Sequence, residues 1–228
     1  MTPERYQRLL QILTMRQPDL TVLMDNVHKS HNLSAILRNC DATGVFEAHA
    51  VYDRTTIRPN RGISSSSGKW VKVRTHQSIH AALDHFKQQN MQLVVADVSP
   101  NSIDFREVDY THPTVIVLGA EKSGPDEEVI QQADHIVTIP MDGMVDSLNV
   151  SVAAALILFE AHRQRKQAGM YESSRLPEDV FQKTLFEWAH PVLARFYRRK
   201  KLAYPPLRED GEVIEQDEHV QARTGLEN

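Results

Sequence analysis

Ile139-Pro-Met-Asp-Gly-Met-Val-Asp-Ser-Leu-Asn-Val-Ser-Val-Ala-Ala-Ala-Leu-Ile-Leu-Phe159 joins an apolar strand end, a polar turn with one glycine and a long apolar helix within one short segment. Pro140, which has no N–H for a ladder, should stop a strand over residues 135–139. Gly143 predicts a turn of positive φ that leaves the backbone facing a ligand. Residues 148–159 carry almost no polar side chain, which predicts a helix buried over most of its surface, with Ser147 at its start. Taken alone, Ser147 or Asp146 is accounted for as that helix's cap.

Upstream, the same grammar repeats. Residues 20–27 (Leu-Thr-Val-Leu-Met-Asp-Asn-Val) read as a strand, and residues 32–43 as a helix with Asn32 as N-cap, closed by Gly44. Arg38 falls about two turns into that helix; locally, cap and solvated charge explain Asn32 and Arg38. Residues 45–51, 70–74, 92–98 and 114–118 read as further strands, and 78–89 as a helix. Pro125 with Asp126, Glu127 and Glu128 behind it marks another helix start. Strands alternating with helical segments predict an α/β domain, a mainly parallel sheet flanked by helices. Ligands in such sheets bind beyond the carboxyl ends of the strands. Each polar set follows a strand: Asn32 and Arg38 the first, Glu121 the strand ending at Leu118, Ser147 and Asn149 the strand ending at Ile139.

Composition narrows the function. The 228 residues suit one domain with appendages, and the only cysteine, Cys40, excludes an intramolecular disulfide and a Cys-rich zinc site, so no metal is expected. A single thiol and the lack of a visible signal peptide fit a cytoplasmic protein. The net charge of −4 conceals an asymmetry. Residues 161–208 hold eleven Lys and Arg against four Asp and Glu, whereas 209–228 hold one against seven. A basic segment that includes Arg163, Arg165, Lys166, Arg198 and Arg199 predicts RNA phosphate contacts, with Phe196 or Tyr197 available to stack on a base. Packed aromatics and a solvated cationic face are the competing account. Gly62-Ile-Ser-Ser-Ser-Ser-Gly-Lys-Trp70 has five residues between its glycines and Trp where a phosphate loop needs Ser or Thr, so it is read only as a loop carrying Arg58, Arg61 and Lys69 towards phosphate. Arg8, Arg16 and His31 complete the RNA candidates.

Three stretches taken together carry a family resemblance. His31-Asn-Leu-Ser-Ala-Ile-Leu-Arg38, Val117-Leu-Gly-Ala-Glu-Lys-Ser-Gly124, and Ile139-Pro-Met141 with Ser147-Leu-Asn-Val-Ser-Val-Ala153 resemble, in order, the three motifs of the SpoU branch of the SPOUT methyltransferases. The resemblance covers residues 20–161. The flanks, Arg16-Gln-Pro-Asp-Leu-Thr21 and Glu160-Ala-His-Arg-Gln-Arg-Lys-Gln-Ala-Gly-Met-Tyr171, are similar to the bacterial subgroup that methylates a tRNA guanosine.

The resemblance implies a C-terminal trefoil knot, which general topology rules would not suggest, and a homodimer packed through it. It implies S-adenosyl-L-methionine as cofactor, held at Ala96, Gly119, Ile139 and Leu148. It places the catalytic set on Asn32, Arg38, Glu121, Ser147 and Asn149, and the target on guanosine 18 of the tRNA D-loop. Two roles stay open for Arg38: a base whose pKa burial has depressed, or a permanent cation that grips phosphate and stabilises the developing alkoxide. The chain is accordingly divided into an N-terminal helical extension (1–19), the methyltransferase core (20–161), a basic helical extension (162–208) and an acidic, flexible tail (209–228). Other readings are a 2′-O-methyltransferase of rRNA or of the tRNA wobble position, a catalytically silent RNA-binding protein, and a phosphotransferase.

Overall fold

The computed structural model describes residues 1–51, 69–120 and 123–214. Glu121, Arg58 and Arg61 lie outside the described residues. The chain forms two compact units: residues 16–172, and residues 1–15 together with the chain from 173 on.

The larger unit is a parallel sheet between two helical layers. Its strands are β1 (Leu20–Asp25), β2 (Glu47–Val51), β3 (Lys72–His76), β4 (Gln92–Ala96), β5 (Ile103–Asp104), β6 (Thr114–Leu118) and β7 (His135–Thr138). They pair, all in parallel, in the order β3-β2-β1-β6-β4-β7-β5. The central β1 and β6 are buried at every position, as continuous apolar runs covered on both faces must be. Side-chain alternation then sorts them between layers. Leu20, Val22 and Met24 of β1 pack with Ile116 and Leu118 of β6 against α2 (Ser30–Ala42) and α5 (Val150–Gln167). Leu23, Val115 and Val117 point the other way, towards α3 (Ile79–Gln88) and α4 (Glu127–Gln131). Each buried Leu or Val contributes roughly 1.5–3 kcal/mol.

Several local expectations change. Asn32 is not a cap: α2 starts at Ser30 behind Lys29, which puts Asn32 inside the first turn and 1% exposed. Gly44 does follow the helix end, at φ 83°. Neither Ser147 nor Asp146 caps α5. The helix begins at Val150 under Asn149, whose side chain accepts the Ser151 N–H at 2.8 Å, a role Asn fills as well as Ser. Pro125 precedes the cap of α4, Asp126, and the positive φ of these turns belongs to Gly124 rather than Gly143. Nor is α5 buried over most of its surface, because α2 and the sheet cover only one side. Val152, Leu156 and Phe159, at 46, 41 and 51% exposure, form an apolar stripe on another.

In the smaller unit, α1 (Pro3–Thr14) is capped by Thr2 and buries Tyr6, Leu9 and Leu13. Glu178–Ala189 and Pro191–Lys200 form α6 and α7, which meet around Phe186, Ala194 and Tyr197.

Candidate active site

β6, β4 and β7 lie side by side, and a pocket of about 560 Å³ opens beyond their carboxyl ends. This volume lies within the usual range for small-molecule sites. Ala96 lines it at the end of β4, Gly119 after β6 and Ile139 after β7, and Ser147, Leu148 and Asn149 close it from the start of α5. Gly119 is required here by space. A Cβ on it would stand 2.2 Å from the backbone nitrogen of Pro125 and 2.3 Å from the Gly124 carbonyl carbon, so any side chain would force the turn apart.

The polar groups of α2 and α5 are hydrogen-bonded together. Asn149 Nδ2 donates to Asn32 Oδ1 at 3.2 Å, while Asn149 Oδ1 accepts both the N–H and the hydroxyl of Ser151. Further along α2, Asn39 Nδ2 donates to the Ser151 carbonyl at 2.9 Å. Two motifs more than a hundred residues apart are thus locked in register. Arg38 does not line the pocket: it is exposed on α2, with no ion pair or hydrogen bond among the described residues.

Sequence reasoning missed three contributors. Asp97 lines the pocket directly after β4, a place where the rule that ligands bind beyond strand ends points. Asp25, 2% exposed at the end of β1, accepts the Asp126 N–H at 2.8 Å and so pins the turn that carries Gly124 and Pro125. Burial raises its carboxyl above the ordinary range, against the lowering effect of that hydrogen bond. Asn39 carries no sequence signal, since its partner is a backbone carbonyl 112 residues away.

Two of the RNA candidates need correcting. Arg16 and Arg165 are both fully buried. Arg16 donates to the Val45 carbonyl at 3.0 Å and to Asp41 at 2.5 Å. Arg165 ties together Asp19, Gln17 and the carbonyls of Tyr110 and His112. Guanidinium groups buried this fully and bonded to internal oxygens do not reach a phosphate. Arg163 is exposed but holds Glu160 in a two-point ion pair. Arg8, His31, Lys69, Lys166, Arg198 and Arg199 are exposed. Tyr197 is 1% exposed and packs edge-on against Phe186, so it cannot stack on a base.

A parallel sheet with a pocket built by the turns after three neighbouring strands, and walled by an asparagine that a second asparagine holds by a hydrogen bond, is the architecture of a small-molecule-dependent α/β enzyme. The sequence profile of the SpoU rRNA Methylase family matches residues 19–159, and that of the SpoU rRNA methylase C-terminal region matches residues 163–216. The chain belongs to the SpoU methylase family. It is 51% identical over 215 residues to the tRNA (guanosine(18)-2′-O)-methyltransferase of Escherichia coli (strain K12), covering 93% of this chain and 94% of that protein. It is also 51% identical over 187 residues to the enzyme of that name from Thermus thermophilus, covering 82% of this chain and 96% of that one. Among solved structures, the A. aeolicus TrmH/SpoU tRNA modifying enzyme superposes with a TM-score of 0.75 at 44% identity, over 82% of this chain and 96% of its own. The SpoU methyltransferase AviRb from Streptomyces viridochromogenes, in complex with AdoMet, superposes with a TM-score of 0.59 at 27% identity, over 66 and 62%.

Proposed function

We propose that this protein transfers a methyl group from S-adenosyl-L-methionine to the ribose 2′-hydroxyl of guanosine 18 in the tRNA D-loop, working as a cytoplasmic homodimer with the family's knotted C-terminal crossing. The strand-end pocket carries the reading, together with 51% identity to relatives named for that reaction. Its donors suit the cofactor. Backbone approaches closely at Gly119, where no Cβ fits, Ile139 and Leu148 offer apolar contact, and Asp97 offers a carboxylate. When bound, S-adenosylmethionine supplies an electrophilic methyl group on a sulfonium.

The chain's own residues then have to align the ribose oxygen and manage its proton. Asn149, fixed by Asn32 and Ser151, presents its amide at the pocket wall, and Ser147 lies beside it. These two orient the reacting nucleotide. Arg38, exposed and uncommitted among the described residues, keeps its donors for a substrate phosphate and for the charge that develops on the oxygen. Glu121 completes the proposed catalytic set, with Ala96 among the residues that hold the cofactor. Val152, Leu156 and Phe159 supply an apolar face for a second copy of the chain.

The test is transfer of labelled methyl from S-adenosylmethionine to unmodified tRNA, followed by mapping of the alkali-resistant linkage. One such linkage at guanosine 18 is expected, and Asn149→Ala should slow its formation about a hundredfold by misplacing the nucleotide. Label confined to rRNA or to the wobble position would overturn the substrate; no transfer to any RNA would overturn the reaction.

A further inference from the structure

The unit built from the chain ends carries two adjoining hollows that the methyl-transfer reading leaves unused. One, of about 710 Å³, is lined by Phe186, Leu202, Tyr204 and Pro205, with Asp179, Gln182 and Lys183 of α6 beside them. The other, of about 690 Å³, is lined by Val192, Arg195, Arg198 and Arg199. Arg198 lines both.

The sequence of α7 explains the pair. Ala194 and Tyr197, three residues apart, turn inward, which sends Arg195, Arg198 and Arg199 outward. None of these three arginines has an ion pair among the described residues, although Arg195 and Arg199 stand one turn apart, an arrangement that costs the helix stability. Unopposed cations at that density are what phosphate contacts require. The neighbouring hollow has a rigid aromatic element. Tyr204 stacks on Phe186 with ring centroids 4.6 Å apart and planes 16° apart, and its hydroxyl donates to Glu187 at 3.0 Å. Phe186 is 1% exposed and anchors the stack, while Leu202 is 40% exposed. Asp179 accepts hydrogen bonds from the imino and amino groups of a base, and the Gln182 amide offers a donor and an acceptor.

We propose that the Phe186–Tyr204 hollow takes one unpaired base of the RNA, while Arg195, Arg198 and Arg199 hold the phosphates next to it. This rests on the RNA-substrate reading and adds to it a second nucleotide site, on the unit that does not contain the strand-end pocket.

The experiment is titration of the full-length protein with a labelled single-stranded RNA, a duplex of the same length and unmodified tRNA, across a range of salt. Leu202→Asp changes an exposed residue and places a carboxylate in the hollow. It should weaken single-strand binding about tenfold. Arg195→Ala with Arg199→Ala should flatten the salt slope by about two. Neither variant should melt below the parent's temperature, and ultraviolet cross-linking should join RNA to the peptide that contains Tyr204. Undiminished binding by Leu202→Asp, or a duplex bound as tightly as the single strand, would overturn the base site. Tight binding of an acidic peptide that Leu202→Asp abolishes would reassign the hollow to a protein partner. Retained methyl transfer in those cases leaves the RNA reading standing; no RNA bound by the parent would overturn both.

Discussion

At the scale of single residues, the two buried arginines show how one residue type does opposite work. Arg165 extends from α5, and its hydrogen bonds include one to the Asp19 carboxylate at 2.6 Å and others to the Gln17 side chain and the carbonyls of Asp19, Tyr110 and His112. Its removal takes the charged donor from the half-buried Asp19 carboxylate and one donor each from the carbonyls of Asp19, Tyr110 and His112. Arg165→Met should therefore cost about 3 kcal/mol in urea unfolding, as removal of one partner of a buried pair does. The affinity of the folded variant for tRNA should not change; a loss of affinity with stability intact would return Arg165 to the RNA interface. Arg38 is the contrast, exposed and without internal partners among the described residues. Composition cannot separate them, since both are arginines on helices that follow strands or continue from them. Cys40 belongs to the internal group too. Burial pushes its thiol up to about 12, which leaves almost no thiolate for chemistry at neutral pH.

At the scale of elements, α5 is the most legible in sequence and also the easiest to misread. Its apolar run and its position after β7 are plain in residues 139–159, as is the gathering of polar groups at its start. What periodicity cannot supply is the covering of each face. The chain buries Ala154, Ile157, Leu158 and Ala161 but leaves Val152, Leu156 and Phe159 open. An apolar stripe at i, i+4 and i+7 reads in one dimension as core whether the covering comes from the same chain or from another. Leu156→Glu together with Phe159→Glu should accordingly give a folded monomer in sedimentation, where the parent should sediment as a dimer. A monomeric parent would remove the homodimer from the proposal. The cap of α5 is equally hard to assign from sequence, because Ser147, Asp146 and Asn149 are all competent caps and only the backbone path selects among them.

At the scale of the whole molecule, a histidine cluster outside the pocket should make the fold sensitive to acid. His49 on β2, His76 on β3 and His85 on α3 have ring centroids 5.1 to 5.4 Å apart, and His49 Nδ1 lies 2.8 Å from His76 Nε2. Glu47 and Arg74 face them. Burial first, then the neighbouring histidines and Arg74, lowers the His49 pKa to about 3, and burial lowers the other two as well. A depressed histidine favours the fold while it is neutral, so its contribution is complete above the unfolded value near 6.5 and is lost as pH falls towards 3. Unfolding measured at pH 5 should show a loss of about 2 kcal/mol relative to pH 7.5 from His49 alone. His49→Leu should remove most of that difference; an equal pH dependence in the variant would place its origin elsewhere. Local sequence was enough to establish the α/β class, the succession of strands and helices apart from the two-residue β5, and which turns carry Gly119, Ser147 and Asn149, because strand period, proline and glycine act within a few residues. Packing decided the strand order, the bond between Asn32 and Asn149, the burial of Arg16 and Arg165, and the gathering of three histidines. Each of these depends on which distant segment meets which, and a side chain's charge or hydrogen-bonding capacity is spent inward or outward only once that neighbour is in place.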